Sequence, residues 1–332
     1  MRATTPGGAG GARTRLGFGG APIGNLGSEV DDATANGAVV ASWDGGIRYF
    51  DTAPHYGLGL SERRLGSALS AYPRDEFIVS TKVGRLLVPN RFPSGSDIQN
   101  GFAVRDDLTR DFDYSRDGVR RCIDRSLSEL GMDHIDIAYV HEPDDVRYLD
   151  SAIADAVPAL LELRDEGVIG AIGAGMNRVD WSMRFVLEAN LDVILLAGRW
   201  TLLDQTAQHL LDVCVRREVS VVAAAPFNSG LLATSDPAPG GWFDYAEAST
   251  TNVARARELA ALCRDHGVSL PQAAIQFPLA HPAVIGVTVG IRSAEEAIAD
   301  CELIDEAVPA GLWGDLEAAF ERWRADDTST LR

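Results

Sequence analysis

Residues 47–62 read IRYFDTAPHYGLGLSE. The first five residues have the composition of a buried strand. The strand then runs into an acid, a histidine and a tyrosine, followed by glycines and a helix start at Ser61. Ser61 is expected to cap that helix, with Glu62 in its first turn facing the positive helix end. The same strand-then-helix unit recurs along the chain. Strands are expected at 15–20, 47–51, 76–82, 134–141, 168–175, 191–198, 220–227 and 283–290. Helical segments follow each one, at 28–43, 61–71, 115–130, 148–166, 179–189, 206–217, 250–266 and 294–306, with further helices after Leu270 and at 314–324. Over 115–130, for example, Val119, Ile123, Leu127 and Leu130 share one stripe. Several strands are nearly continuous apolar runs, as in a parallel sheet covered on both faces. Eight β/α units without a linker predict an α/β fold of the (β/α)8 TIM-barrel type. The rival, a doubly wound sheet, calls for a GxGxxG turn after the first strand, and GFGGAPIG at 17–24 has the wrong spacing.

The 332 residues are thus expected to form a flexible tail over 1–14 and one domain over 15–325, with long loops at 83–114 and 228–247. A net charge of -18 argues against a nucleic-acid partner. Cys122, Cys214, Cys263 and Cys301 lie far apart, and no CxxC or CxxH pair suggests a metal site. No apolar run of about eighteen residues suggests a membrane span, and the start of the chain lacks the pattern of a secretory signal. These features suit a cytoplasmic protein with free thiols. They set no oligomeric state.

In a barrel of this kind the C-terminal strand ends face one common site. Asp51 ends the second strand, Tyr56 lies just beyond it, Lys82 ends the third and His141 ends the fourth. These types suit hydride transfer at a carbinol or carbonyl carbon. The free phenol pKa, about 10, is high for a base at neutral pH. A lysine cation beside the phenol is expected to lower it. An aspartate holds the lysine, and a histidine orients the substrate oxygen. The hydride needs a cofactor, because no side chain supplies it. His55 is a candidate substrate contact or a plain loop residue. His141 and Glu142 point opposite ways along a strand, so a metal pair is not expected there.

The whole pattern resembles the aldo-keto reductase superfamily from Arg15 to at least Ala307. The segments carrying the resemblance are RLGFGG, GIRYFDTAPHYGLGLSERRLGSAL, FIVSTKVGR, SLSELGMDHIDIAYVHEPD, IGAIGAGMN and VVAAAPFNSGLL. The resemblance implies a nicotinamide cofactor at the C-terminal face and a catalytic tetrad of Asp51, Tyr56, Lys82 and His141. For cofactor binding it implies Gly20, Asn177, Pro226, Gly230, Leu231, Gly290, Arg292, Glu296 and Asp300. The family's glutamine is absent around Ala197, and its stacking aromatic is absent near Ala224; Trp200 either compensates at the substrate site or is a rim aromatic. Acidic neighbours of Arg292 point to NAD, with NADP possible. HYGLGLSERRLG, HEPDD and AGRWTLLDQ resemble the branch of aldose 1-dehydrogenases, which includes L-fucose, D-threo-aldose and pyridoxal dehydrogenases. That branch implies a sugar or aldehyde substrate, with oxidation of a cyclic hemiacetal to a lactone. A general carbonyl reductase and a catalytically silent binding subunit are the alternatives.

Overall fold

A computed structural model describes residues 15–143 and 145–330; the expected tail at 1–14 lies outside them. The strands are β1 (Leu16–Gly19), β2 (Tyr49–Asp51), β3 (Ile78–Val83), β4 (Arg85–Pro89), β5 (Leu108–Phe112), β6 (Ile135–His141), β7 (Ile169–Met176), β8 (Val193–Ala197), β9 (Ser220–Ala224), β10 (Trp242–Phe243), β11 (Ala246–Glu247) and β12 (Val284–Gly290). Eight of them close a barrel in the order β1-β12-β9-β8-β7-β6-β3-β2, and every neighbouring pair is parallel. This is the (β/α)8 barrel read from the alternation.

The helices form the outer layer because each buries one stripe against the strands. Arg116–Leu130 buries Val119, Cys122, Ile123 and Leu130; Ser115 caps its start and Gly131, at φ 64, ends it. Phe18, Ile123 and Phe185 belong to the large core between strands and helices. A second, smaller cluster of Tyr49, Tyr139, Val193, Leu195 and Val222 fills the barrel interior. Gly173 makes that filling possible, since a Cβ there would lie 2.7 Å from the Tyr139 ring. None of the four cysteines is in a disulfide. Among the described residues, no helix is long and apolar enough to cross a membrane.

Several local expectations need correction. The loop 83–114 contains the antiparallel hairpin β4–β5, and the loop 228–247 contains the small hairpin β10–β11. The strand expected at 220–227 stops at Ala224, because Ala225 turns left-handed at φ 55. The helix expected at 148–166 is π-helical over Ala152–Ala156 before Val157–Asp165; Pro158 lacks the N–H that would close an α-helical bond there. Ser61 is not a cap. The helix Leu60–Leu69 has Gly59 at its N-cap, and the Ser61 hydroxyl donates instead to the Gly20 carbonyl at 2.7 Å. Glu62 is fully buried and accepts from Thr81 at 2.7 Å. Burial pushes its carboxyl up to about 7.

Candidate active site

Side chains two apart on a strand share a face. Three adjacent strands use this to send polar pairs into the barrel: Tyr49 and Asp51 on β2, Ser80 and Lys82 on β3, Tyr139 and His141 on β6. The register sets Asp51 beside Ser80 and Lys82 beside Tyr139. Lys82 Nζ lies 2.7 Å from Asp51 Oδ2, with side chains only 2% and 5% exposed. Nζ also donates to the Thr52 carbonyl at 2.9 Å. Ser80 donates to Asp51 Oδ1 at 2.7 Å, so both carboxylate oxygens are satisfied. Behind them the Tyr49 hydroxyl lies 2.9 Å from Ser80 Oγ and 3.2 Å from the Tyr139 hydroxyl. The pair is therefore held from below by a chain of hydroxyls.

Two tyrosines thus flank one Lys–Asp pair. Tyr49 is buried within the barrel, with its hydroxyl engaged on both sides. Tyr56 is half-buried at the mouth, with Lys82 Nζ 4.7 Å from its ring centroid. The turn that presents Tyr56 is tight: Gly57 has φ +61, and a Cβ on it would lie 2.2 Å from the Gly24 carbonyl oxygen. Burial raises the Tyr56 phenol; Lys82 lowers it, but less. This corrects the expectation of a net lowering: away from bulk water, the desolvation of a phenolate outweighs one cation. Burial pushes the Lys82 ammonium down, yet Asp51 and Tyr56 outweigh that, and it stays above its ordinary value.

His141 stands 6.2 Å from Tyr56 and 5.6 Å from His55, ring to ring. Tyr114 anchors its carbonyl at 3.0 Å. Burial, then the cations Arg85 and Lys82, hold its imidazole well below the usual range, so it is neutral. Its buried Nδ1 has no partner among the described residues. His55, the candidate substrate contact, does line this mouth.

The structure places the remaining candidates at the same face. Gly20 follows β1, Asn177 follows β7, Pro226, Gly230 and Leu231 follow β9, and Gly290 and Arg292 end β12 or lie just beyond it. Asn177 is fixed through its backbone, by Glu142 at 2.9 Å and Arg199 at 2.6 Å. Arg199 also grips Asp244 at 2.8 Å, tying the β10–β11 turn to the end of β8. Asn228 is buried, and its Oδ1 lacks a partner among the described residues. Ser293 caps the helix Ala294–Asp305, and Arg292 reaches Ser28 Oγ and the Leu26 carbonyl, both at 2.7 Å. An unpartnered amide oxygen, an arginine and a capped helix N-terminus are a donor and acceptor set that fits a dinucleotide. Glu296 accepts from the Arg292 N–H at 2.8 Å. Asp300, one turn on, is pushed up to about 7 by burial and by Glu296.

Trp200 is the exception. Its indole is buried, donates from Nε1 to the Pro278 carbonyl at 3.3 Å, and packs on Phe277 and His281, on the segment that precedes β12. Gly198, at φ 70, lies between the end of β8 and Trp200. The substrate role suggested for it is withdrawn. Sequence reasoning also missed Tyr49, Ser80 and Tyr139, although each stands two residues before a residue it did select.

Comparison with known proteins agrees with this geometry. Residues 15–314 match the Aldo/keto reductase family. The chain is 48% identical to D-threo-aldose 1-dehydrogenase of Pseudomonas sp over 315 residues, covering 94% of this chain and 95% of that one. It is 38% identical to pyridoxal 4-dehydrogenase of Microbacterium luteolum, covering 92% and 93%. The holo form of an aldo-keto reductase from Bacillus halodurans superposes with a TM-score of 0.72 at 25% identity, covering 92% and 91%. With the closed parallel barrel and a Lys–Asp pair flanked by tyrosines at its mouth, these matches establish that the chain belongs to the aldo/keto reductase family, as an NAD(P)-linked oxidoreductase of its sugar-dehydrogenase branch.

Proposed function

We propose that the chain oxidises the anomeric hydroxyl of a cyclic aldose to a lactone, with NAD as hydride acceptor and Tyr56 as proton acceptor. The observation that carries this reading is the buried Lys82–Asp51 pair beneath the half-exposed Tyr56 ring, with the neutral His141 beside it. The similarity to D-threo-aldose 1-dehydrogenase supports an aldose as substrate.

A nicotinamide bound at this face supplies the carbon that accepts hydride. The residues of the chain manage the proton and the oxygen. Tyr56, as phenolate, takes the proton from the hydroxyl on C1. Lys82 favours that phenolate, and Asp51 keeps Lys82 in place. His141 donates an N–H to the same oxygen and sets its orientation. Tyr49 and Tyr139 are the other phenols near the pair, but their hydroxyls are buried and bonded to each other and to Ser80, so they support the site and do not exchange protons with substrate. Asn177, the 226–231 turn and Arg292 are the residues that would hold the dinucleotide.

NAD is favoured over NADP because Arg292 is the cation of that segment and is already shared with Ser28 and Leu26, while Glu295 and Glu296 sit in the first turn beside it. A 2′-phosphate would add negative charge there. The test is a panel of aldoses and pyridoxal with each cofactor, following the reduced nicotinamide. Aldose oxidation with kcat/KM for NAD at least equal to that for NADP is expected. Turnover of no aldose overturns the substrate reading; a tenfold preference for NADP overturns the cofactor reading.

A further inference from the structure

His55 directly precedes Tyr56, and nothing in the proton path uses it. Its ring is nevertheless held with care. Arg110, on β5, donates from Nε to His55 Nδ1 at 2.6 Å and from Nη2 to the His55 carbonyl at 2.9 Å. Asp97 takes the same guanidinium from the other side, at 2.6 and 2.7 Å. The Arg110 and Asp97 side chains are 7% and 3% exposed. Phe102 packs edge-on against the imidazole at 5.2 Å.

This contact fixes where the proton of His55 sits. An arginine only donates, and it stays charged at any working pH. The nitrogen it touches must therefore carry a lone pair, so Nδ1 is bare and the ring proton is on Nε2. An imidazolium is excluded by the same contact. Burial and the cations Arg85, Arg110 and Lys82 push the same way, holding His55 down to about 2. Nε2, at the tip of the ring, has no partner among the described residues. The ring lies 5.6 Å from His141 and 6.1 Å from Tyr56, the two groups assigned to the reacting oxygen.

We propose that Asp97 and Arg110 lock His55 as a neutral Nε2–H donor, and that this donor binds the hydroxyl oxygen on C2 of the sugar. The inference rests on the aldose reading above and deepens it. Tyr56 and His141 hold the oxygen on C1, and a donor one ring away meets an oxygen on a neighbouring carbon. His55 is then a binding residue that selects substrates hydroxylated next to the reacting centre. Arg110 and Asp97 are positioning residues that act through it.

Two measurements test this. The first uses the full-length protein labelled with 15N-histidine and needs no substrate; with six histidines the ring spectrum is tractable. His55 should show a bare Nδ1 and a protonated Nε2 from pH 6 to 9, and Arg110→Met should lose that fixed pattern. The opposite tautomer, or titration of His55 in that range, overturns the lock. The second is the ratio of kcat/KM for an aldose to that for its 2-deoxy analogue. His55→Phe and Arg110→Met should lower the ratio about tenfold, the scale of one well-made hydrogen bond. His55→Gln, which can place an amide N–H near the Nε2 position, should keep more of it. A ratio unchanged in both His55→Phe and Arg110→Met overturns the C2 contact. If the wild type turns over other alcohols or carbonyls but no aldose, the aldose reading and the C2 contact fall together, and the spectrum still decides the lock.

Discussion

Lys82→Met keeps the length of the side chain and removes its charge. Lys82 donates to Asp51 at 2.7 Å and to the Thr52 carbonyl at 2.9 Å, and the ion pair is almost wholly shielded from water. Breaking a buried pair from one side costs about 3–5 kcal/mol, because the remaining charge is uncompensated. Asp51 would retain the Ser80 hydroxyl on Oδ1, which puts the expected loss at the lower end, about 3 kcal/mol. Asp51→Asn removes the stranded charge, so the double variant should be more stable than Lys82→Met alone. Urea unfolding of the four proteins in the cycle gives the coupling directly, and at least about 2 kcal/mol is expected. The kinetic consequence has a definite sign. Oxidation needs the Tyr56 phenolate; burial raises that phenol and Lys82 opposes the rise. Without Lys82 the rise of the oxidation rate with pH should move to higher pH and the neutral rate should fall. Additive stabilities within about 0.5 kcal/mol, or a pH profile that stays in place, would refute the assignment of Lys82 as partner to both Asp51 and Tyr56.

The two tyrosines should separate cleanly. Tyr56→Phe is expected to lower kcat by about 10²–10⁴ with cofactor binding by fluorescence titration retained, whereas Tyr49→Phe should cost about 1–3 kcal/mol of stability by leaving the Tyr139 hydroxyl without its partner and Ser80 with Asp51 alone and leave kcat within about tenfold; the reverse pattern moves the proton acceptor to Tyr49. Glu62→Gln tests the buried carboxyl that burial raises from 4.5 to about 7. Between those values the folded protein holds a proton that the unfolded chain has lost, so the cost is absent below about pH 4.5 and complete above about pH 7, amounting to about 3 kcal/mol. The variant should therefore gain stability relative to wild type between pH 5 and pH 8, and a difference that ignores pH removes Glu62 from the ledger.

The barrel was legible because parallel strands covered on both faces must be apolar nearly throughout, and VIGAIGAG and LDVILLAG are. Asp51, Lys82 and His141 stood out as polar breaks at the ends of such runs. Tyr49, Ser80 and Tyr139 did not, since a hydroxyl inside a strand looks like ordinary strand composition; stepping back two residues from each selected side chain would have found them. The hairpin β4–β5 was hidden because RLLVP and LTRDF are separated by a long polar stretch with no two-residue turn signal. With it went Arg110, whose importance depends on a fold-back that brings it to His55, 55 positions away in the chain. Trp200 misled because proximity to a strand end in sequence says nothing about what a side chain packs on, here Phe277, Pro278 and His281.

The hydroxyl chain beneath the ion pair also fastens the walls of the barrel. Tyr49, Ser80 and Tyr139 join β2, β3 and β6 by side-chain bonds that exist only with Asp51 opposite Ser80 and Lys82 opposite Tyr139. Sliding any of these strands by one residue would reverse its faces, turning its polar pair outward and apolar neighbours into the ion-pair layer. A misaligned barrel would lose its catalytic group and strand buried charge in one event. Strand alignment is thereby proofread by the chemistry it supports, and recovery of turnover after refolding reports that three strands have returned to register.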